Sequence, residues 1–110
     1  MKIGFFGLSH LGLNYLAANA FKGHKVIGYD RDNYLIKDLT SGKKLFKEPF
    51  LFENINRYKK NIKFTNNLKD LKINELVVHQ DHGIGKYKGL ITMNIESKTT
   101  ELIKIEYPLL

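Results

Sequence analysis

The first residues able to do chemistry form a glycine-bearing turn, Gly7-Leu8-Ser9-His10-Leu11-Gly12, followed 23 residues after Gly7 by Asp30. Gly7 permits a tight turn, and Gly12 lets a helix lie close against a strand. A helix starting in this turn presents unpaired N–H groups and the positive end of its dipole, which suits a pyrophosphate. Asp30 has the type and spacing to accept hydrogen bonds from the adenosine ribose. Its charge repels a 2′-phosphate and favours NAD over NADP, while Arg31 beside it attracts the same phosphate and weighs the other way. Ser9 stands where such a turn ordinarily has its middle glycine. Its side chain takes space from a pyrophosphate, but its hydroxyl can donate to a phosphate oxygen.

Other chemistry is poorly supported. Ser9 does not make a nucleophile elbow, because Leu11 occupies the place of the last glycine in Gly-x-Ser-x-Gly, and no acid is placed to orient His10. The sequence has no cysteine, which removes thiolate catalysis, disulfides and Cys-based zinc sites. His79 and His82 with Asp81 suggest a metal pair, but a stable site needs three or four ligands. No metal is expected.

The elements that must position the turn are legible. Lys2–Phe6 is short and apolar, as a buried parallel strand should be. Leu11, Tyr15, Leu16 and Ala20 recur at helical spacing, and Gly23 can stop that helix in a left-handed cap. Lys25–Tyr29 reads as a second strand ending at Asp30. Asp32 can cap a helix through about Thr40, ended by Gly42. Glu48-Pro49 opens a further helix carrying Phe50, Leu51, Ile55 and Tyr58, and Ile62–Thr65 is a third strand. Strand, glycine turn, helix, strand and acid in this order make the dinucleotide-binding βαβ unit.

These landmarks are collinear with a known family. Gly7 to Gly12 with Leu13, Gly28-Tyr29-Asp30, Leu39 to Gly42, Glu48-Pro49 and Phe64-Thr65 resemble the UDP-glucose/GDP-mannose dehydrogenases. Members oxidise the C6 hydroxyl of a nucleotide sugar to a carboxylate in two NAD-dependent steps, holding the intermediate as a thioester on a cysteine. The resemblance implies a partial Rossmann fold over residues 1–71 and NAD as cofactor, provided the site tolerates Ser9. The contacts it implies are Gly7, Ser9, His10, Leu11, Gly12, Asp30 and Arg31. It assigns no catalytic residue within this chain, so no complete catalytic cycle is expected.

After Leu71 the grammar changes. Leu76-Val77-Val78 can serve as a fourth strand, but Gly83, Gly85 and Gly89 then mark bends or close backbone approaches in a β segment. Ile91 to Ile95, a turn near Ser97-Lys98, and Thr100 to Tyr107 follow. Ile103, Ile105 and Tyr107 share one face of the last strand, Lys104 and Glu106 the other. The run from Val77-Val78-His79 through His82-Gly83-Ile84-Gly85 to Tyr87 and Gly89, ending in Ile105-Glu106-Tyr107, resembles the RNA-polymerase-interacting domain shared by transcription-repair coupling factors and CarD-type regulators. That resemblance implies docking on the polymerase β subunit by sheet-edge addition. The matching edge is Leu90 to Ile95, with Leu90, Ile91, Met93 and Ile95 as contacts and Met93 foremost. The bland reading is that these side chains cover the module's own core.

Charge divides at the same place. Residues 1–71 carry 13 Lys/Arg against 6 Asp/Glu, and residues 72–110 carry 5 against 5. The lysines are scattered rather than forming one arm, so a solvated surface is preferred to a nucleic-acid interface. The apolar start is interrupted by Ser9, His10 and Asn14 and is too short to span a bilayer. Its Ala18-Asn19-Ala20 imitates a signal cleavage site, but export is not expected.

The sequence thus predicts an α/β chain: a partial Rossmann domain over 1–71, then a truncated, barrel-like β module over 72–110, cytoplasmic and without a membrane segment. Three functional readings stand beside one another. They are an NAD-binding dehydrogenase fragment, a polymerase-docking adaptor, and a chimeric or truncated product with no selected function. At 110 residues neither segment has room for a complete domain core, so marginal stability is expected.

Overall fold

Lys2–Phe6 forms strand β1, and its alternation sets up two different faces. Ile3 and Phe5 enter one apolar cluster, Phe6 the other. In the computed structural model of this chain β1 lies between β2 (Lys25–Tyr29) and β4 (Leu76–His79), parallel to both, with β3 (Ile62–Thr65) parallel to β2 on the far side. The structure describes residues 1–43, 45, 48, 50–72, 75–79, 83–95 and 98–107, the backbone only for 83, 90–95 and 98–101. Two long antiparallel strands, β5 (Gly83–Ile95) and β6 (Lys98–Glu106), extend the same sheet from β4. The result is one six-stranded mixed sheet in the order β3-β2-β1-β4-β5-β6.

Helix α1 (His10–Phe21) is capped by Ser9 and ends before Gly23, whose φ of 91° is the left-handed conformation expected there. It buries Gly12, Leu13, Leu16, Ala17 and Ala20. The buried stripe therefore differs from the expected one at two positions. Leu11 is 49% and Tyr15 46% exposed, because the face turned toward the sheet runs through Leu13 and Ala17 instead. Gly28 on β2 makes the close approach of α1 possible. A Cβ there would stand 2.7 Å from Leu16 Cδ1 and 3.0 Å from Leu8 Cδ2.

Helix α2 (Asn33–Thr40) begins at Asp32, whose carboxylate accepts from the Tyr34 and Leu35 N–H groups at 3.0 and 3.2 Å. Helix α3 (Leu51–Arg57) buries Leu51, Phe52 and Ile55. Phe50, expected on its apolar side, is 70% exposed just before the first turn. Pro49 and Ser97, the latter from the turn expected near Ser97-Lys98, lie outside the described residues. These helices cover one face of the sheet with the cluster built on Phe5, Leu8, Leu13, Leu16 and Val26.

The other face is covered by Leu68 and Leu71, from the segment after β3, and by the hairpin itself. Phe6, Ile27, Leu71, Val77 and Tyr87 form its buried cluster, with Tyr29 and Ile105 packed against it. Gly4 lacks the Cβ that would come within 2.8 Å of Leu71 Cδ2. The Phe6 ring meets Tyr29 on one side (5.5 Å, 74°) and Tyr87 on the other (5.9 Å, 83°), both edge to face. Phe6 and Tyr87 lie on strands separated by β4, so the hairpin curls toward the strand ends instead of continuing flat. The pairing of β5 with β6 shifts register between Tyr87 and Leu90, where Gly89 has a φ of 91°, and such a bulge bends and twists a strand.

Val77 is fully buried at the strand both segments share. Val77→Ala is expected to cost about 1–3 kcal/mol in urea denaturation. It should also raise amide exchange in α1 and in β6 together. Loss of protection confined to one segment would mean the two unfold independently.

Candidate nucleotide crevice

The glycine turn is held by main-chain geometry on one side and a carboxylate on the other. Gly7, at a φ of 91°, donates its N–H to the Tyr29 carbonyl at 3.0 Å, joining the ends of β1 and β2. Leu8 is 1% exposed and anchors the turn in the helical-face core. That anchoring brings its N–H to Asp30 Oδ2 at 3.0 Å. Asp30 Oδ1 accepts from the Asp32 N–H at 3.0 Å, and the Asp30 N–H donates to the Thr65 carbonyl at 3.2 Å. The acid is therefore tied to the glycine turn, to β3 and to the start of α2. Each of its oxygens has capacity for a second donor, as a ribose contact requires.

Ser9 takes a role that the motif alone left open. It is the N-cap of α1 with extended backbone, and its Oγ accepts from the Gly12 N–H at 3.4 Å, while its carbonyl accepts from Leu13 at 2.9 Å. One donor at the helix start is thus satisfied by the serine that replaces glycine. His10, in the first turn, pairs through Nε2 with Glu48 Oε2. Leu11 stands exposed at the same end of α1.

A cavity of about 430 Å³ opens at the C-terminal ends of β1, β2 and β4, within the usual range for small-molecule sites. Gly7, Asp30 and Arg31 line it, and so do Phe6, Tyr29 and His79. Its remaining wall is Ile103, Ile105 and Tyr107 of the last strand and its end. Of the seven residues expected at a cofactor, the structure brings Gly7, Asp30 and Arg31 to this cavity. Ser9, His10, Leu11 and Gly12 sit in the adjoining helix start. Burial, and secondarily the neighbouring Asp30 charge, push the Tyr29 hydroxyl above its ordinary range; burial alone does so for Tyr107.

Below the crevice, Thr65 and Asp70 fix the end of β3. The Thr65 hydroxyl donates to Asp70 Oδ2 at 2.5 Å and accepts from the Asn67 N–H at 3.0 Å. That hydroxyl, and then Lys63 at 3.2 Å, hold the Asp70 carboxyl below its ordinary range.

His79 faces the cavity at the end of β4, while Asp81 and His82, its neighbours in the pattern rejected as a metal site, lie outside the described residues. Among the described residues no group of three or more His, Cys, Asp or Glu is gathered for a metal. No described helix is long and apolar enough to cross a membrane.

The expected docking contacts Leu90, Ile91, Met93 and Ile95 all lie in β5. They pair with Ile103, Leu102, Thr100 and Lys98 of β6 in that order. β4 reaches only Gly83 to Lys86 of β5. Among the described residues no strand pairs with the other edge of Leu90–Ile95.

Sequence reasoning missed the aromatic part of the crevice. Phe6 and Tyr29 were seen only as strand residues, and the shared face of Ile103, Ile105 and Tyr107 was recognised without its destination. Tyr29, immediately before the acid, was the available signal.

Comparison with known proteins finds two families along the chain. Residues 1–79 match the UDP-glucose/GDP-mannose dehydrogenase family, NAD binding domain, and residues 71–109 match the CarD-like/TRCF RID domain. The two matches overlap across β4. The chain superposes on the UDP-D-ManNAc dehydrogenase of Pyrococcus horikoshii with a TM-score of 0.62 and 31% identity, covering 66% of this chain and 18% of that one. For the GDP-mannose dehydrogenase of Pseudomonas aeruginosa the values are 0.59 and 28%, covering 64% and 16%.

The curated relatives are transcription-repair-coupling factors. That of Haemophilus influenzae is 52% identical over 44 residues, 40% of this chain and 3% of the relative. That of Rickettsia prowazekii is 41% identical over 63 residues, 57% of this chain and 5% of the relative. The chain thus spans a small fraction of every one of these proteins.

The cap predicts its own test. Ser9→Ala should cost about 0.5–1 kcal/mol in urea denaturation, and Ser9→Gly only a few tenths. Equal losses from both would show that the hydroxyl does not cap α1.

Proposed function

We propose, from the premise that this chain belongs to the UDP-glucose/GDP-mannose dehydrogenase family by its NAD-binding domain, that it binds NAD at the ends of β1 and β2. One observation carries the reading: the Gly7 turn and Asp30, joined by the bond from the Leu8 N–H to the Asp30 carboxylate, line one cavity, and the capped start of α1 adjoins it. The adenosine ribose is held by Asp30, and the pyrophosphate lies over the turn, where backbone N–H groups and the helix dipole favour an anion. The Ser9 side chain is directed to Gly12 as a cap, which supports tolerance of serine in place of glycine. The dehydrogenase chemistry of the family uses a cysteine thiol, and these 110 residues contain none. The proposed activity of these residues is therefore cofactor binding.

A second reading rests on the open edge of β5. Leu90–Ile95 projects beyond β4 with backbone groups available for strand addition. Together with the match to the polymerase-interacting domain, this supports docking on the RNA polymerase β subunit, with Met93 at the contact. The segments then form an NAD-binding unit fused to a partial docking module.

Titration calorimetry should detect NAD binding by the purified chain, and Asp30→Ala should weaken it tenfold or more. A folded chain giving no heat with NAD would remove the first reading. In a pull-down with the polymerase β subunit, Met93→Arg should reduce capture several-fold; undiminished capture would count against this edge.

A further inference from the structure

We propose that the C-terminal hairpin is itself part of the nucleotide site. Ile103, Ile105 and Tyr107 form the apolar wall against which the adenine packs while Asp30 holds the ribose. This rests on the NAD-binding reading above and goes beyond it, because the wall lies outside residues 1–79, the span that matches the dehydrogenase family.

The observations behind it are geometric. Strand alternation puts Ile103, Ile105 and Tyr107 on one side of the last strand, with Lys104 and Glu106 exposed on the other. The curl of β5 and β6 turns that side to the strand ends, where the three residues line the same cavity as Asp30 and Arg31. Gly85 makes their position possible. A Cβ there would stand 2.6 Å from Ile105 Cγ2 and 3.1 Å from Tyr107 Cδ1. The Phe6–Tyr87 contact then fixes the hairpin over β1.

About 430 Å³ stays open, and Ile103 remains 37% exposed. Apolar walls with a few converging charged groups suit a flat heterocycle joined to a sugar. Phe6 and Tyr29 supply aromatic surface on the Rossmann side and Tyr107 on the hairpin side.

The test compares NAD and AMP binding by calorimetry for the wild-type chain, Ile103→Glu, Tyr107→Ala and Asp30→Ala, each checked for folding by circular dichroism. Ile103→Glu should raise Kd for both ligands about tenfold or more. Added NAD should also slow amide exchange at residues 103–107 of the wild-type chain, a readout that does not depend on any variant folding. If Asp30→Ala weakens binding while both hairpin variants bind as wild type and exchange at 103–107 is unchanged, the wall is refuted and the strand-end site stands. If the folded wild type binds neither ligand, both readings fall together. Tighter binding by Ile103→Glu would show that the hairpin obstructs the crevice and would overturn the proposal. Weakened NAD binding with unchanged AMP binding would place the wall against the nicotinamide half, and the adenine assignment would fail.

Discussion

The structure depends on β4 having hydrogen-bonding partners on both edges. A parallel strand such as β1, buried on both faces, needs neighbours on both sides, and Leu76–His79 supplies the second of them. The same four residues pair antiparallel with Gly83–Lys86. A strand is indifferent to the kind of ladder on each edge, since the two use opposite sets of backbone groups. One short apolar run therefore joins parallel Rossmann grammar to antiparallel hairpin grammar without a break in the sheet. The overlap of the two family matches at residues 71–79 is the same fact seen in sequence.

Glycine placement decides how closely the layers approach. Gly28 admits α1 on one face, Gly4 admits Leu71 on the other, and Gly85 admits Ile105 and Tyr107 within the hairpin. Each missing Cβ is replaced by a larger side chain from a neighbouring element, so the cores are built across elements. The edge-to-face series Tyr29–Phe6–Tyr87 ties β2, β1 and β5 together on the face opposite α1, α2 and α3. Burying large aromatic rings there removes apolar surface that β1 and β2 would otherwise leave in water.

The crevice follows from these constraints. Asp30 is oriented by the Leu8 and Asp32 N–H groups, and Leu8 is oriented in turn by burial of its side chain. The acid at the end of β2 is thus positioned by core packing at the glycine turn. Ser9, the departure from the motif, turns its hydroxyl to the helix it begins. His10 and Glu48 close the flank of that helix start.

The sequence by itself determined the elements of the first segment and the family they belong to. The positive φ at Gly7 and Gly23, the Asp32 cap and the acid at the end of β2 are local consequences of residue type, and local rules read them correctly. Gly85 as a close approach and Gly89 as a bend were also legible. The helix face buried by α1 was misjudged at Leu11 and Tyr15, because several apolar residues on one helix permit more than one stripe and only the sheet selects among them. Joining the segments into one sheet, curling the hairpin over the strand ends and gathering Ile103, Ile105 and Tyr107 beside Asp30 were decided by tertiary structure alone. The physical reason is range. Periodicity shows which side chains share a face, but the partner of that face is fixed by long-range strand pairing and by where a glycine leaves room.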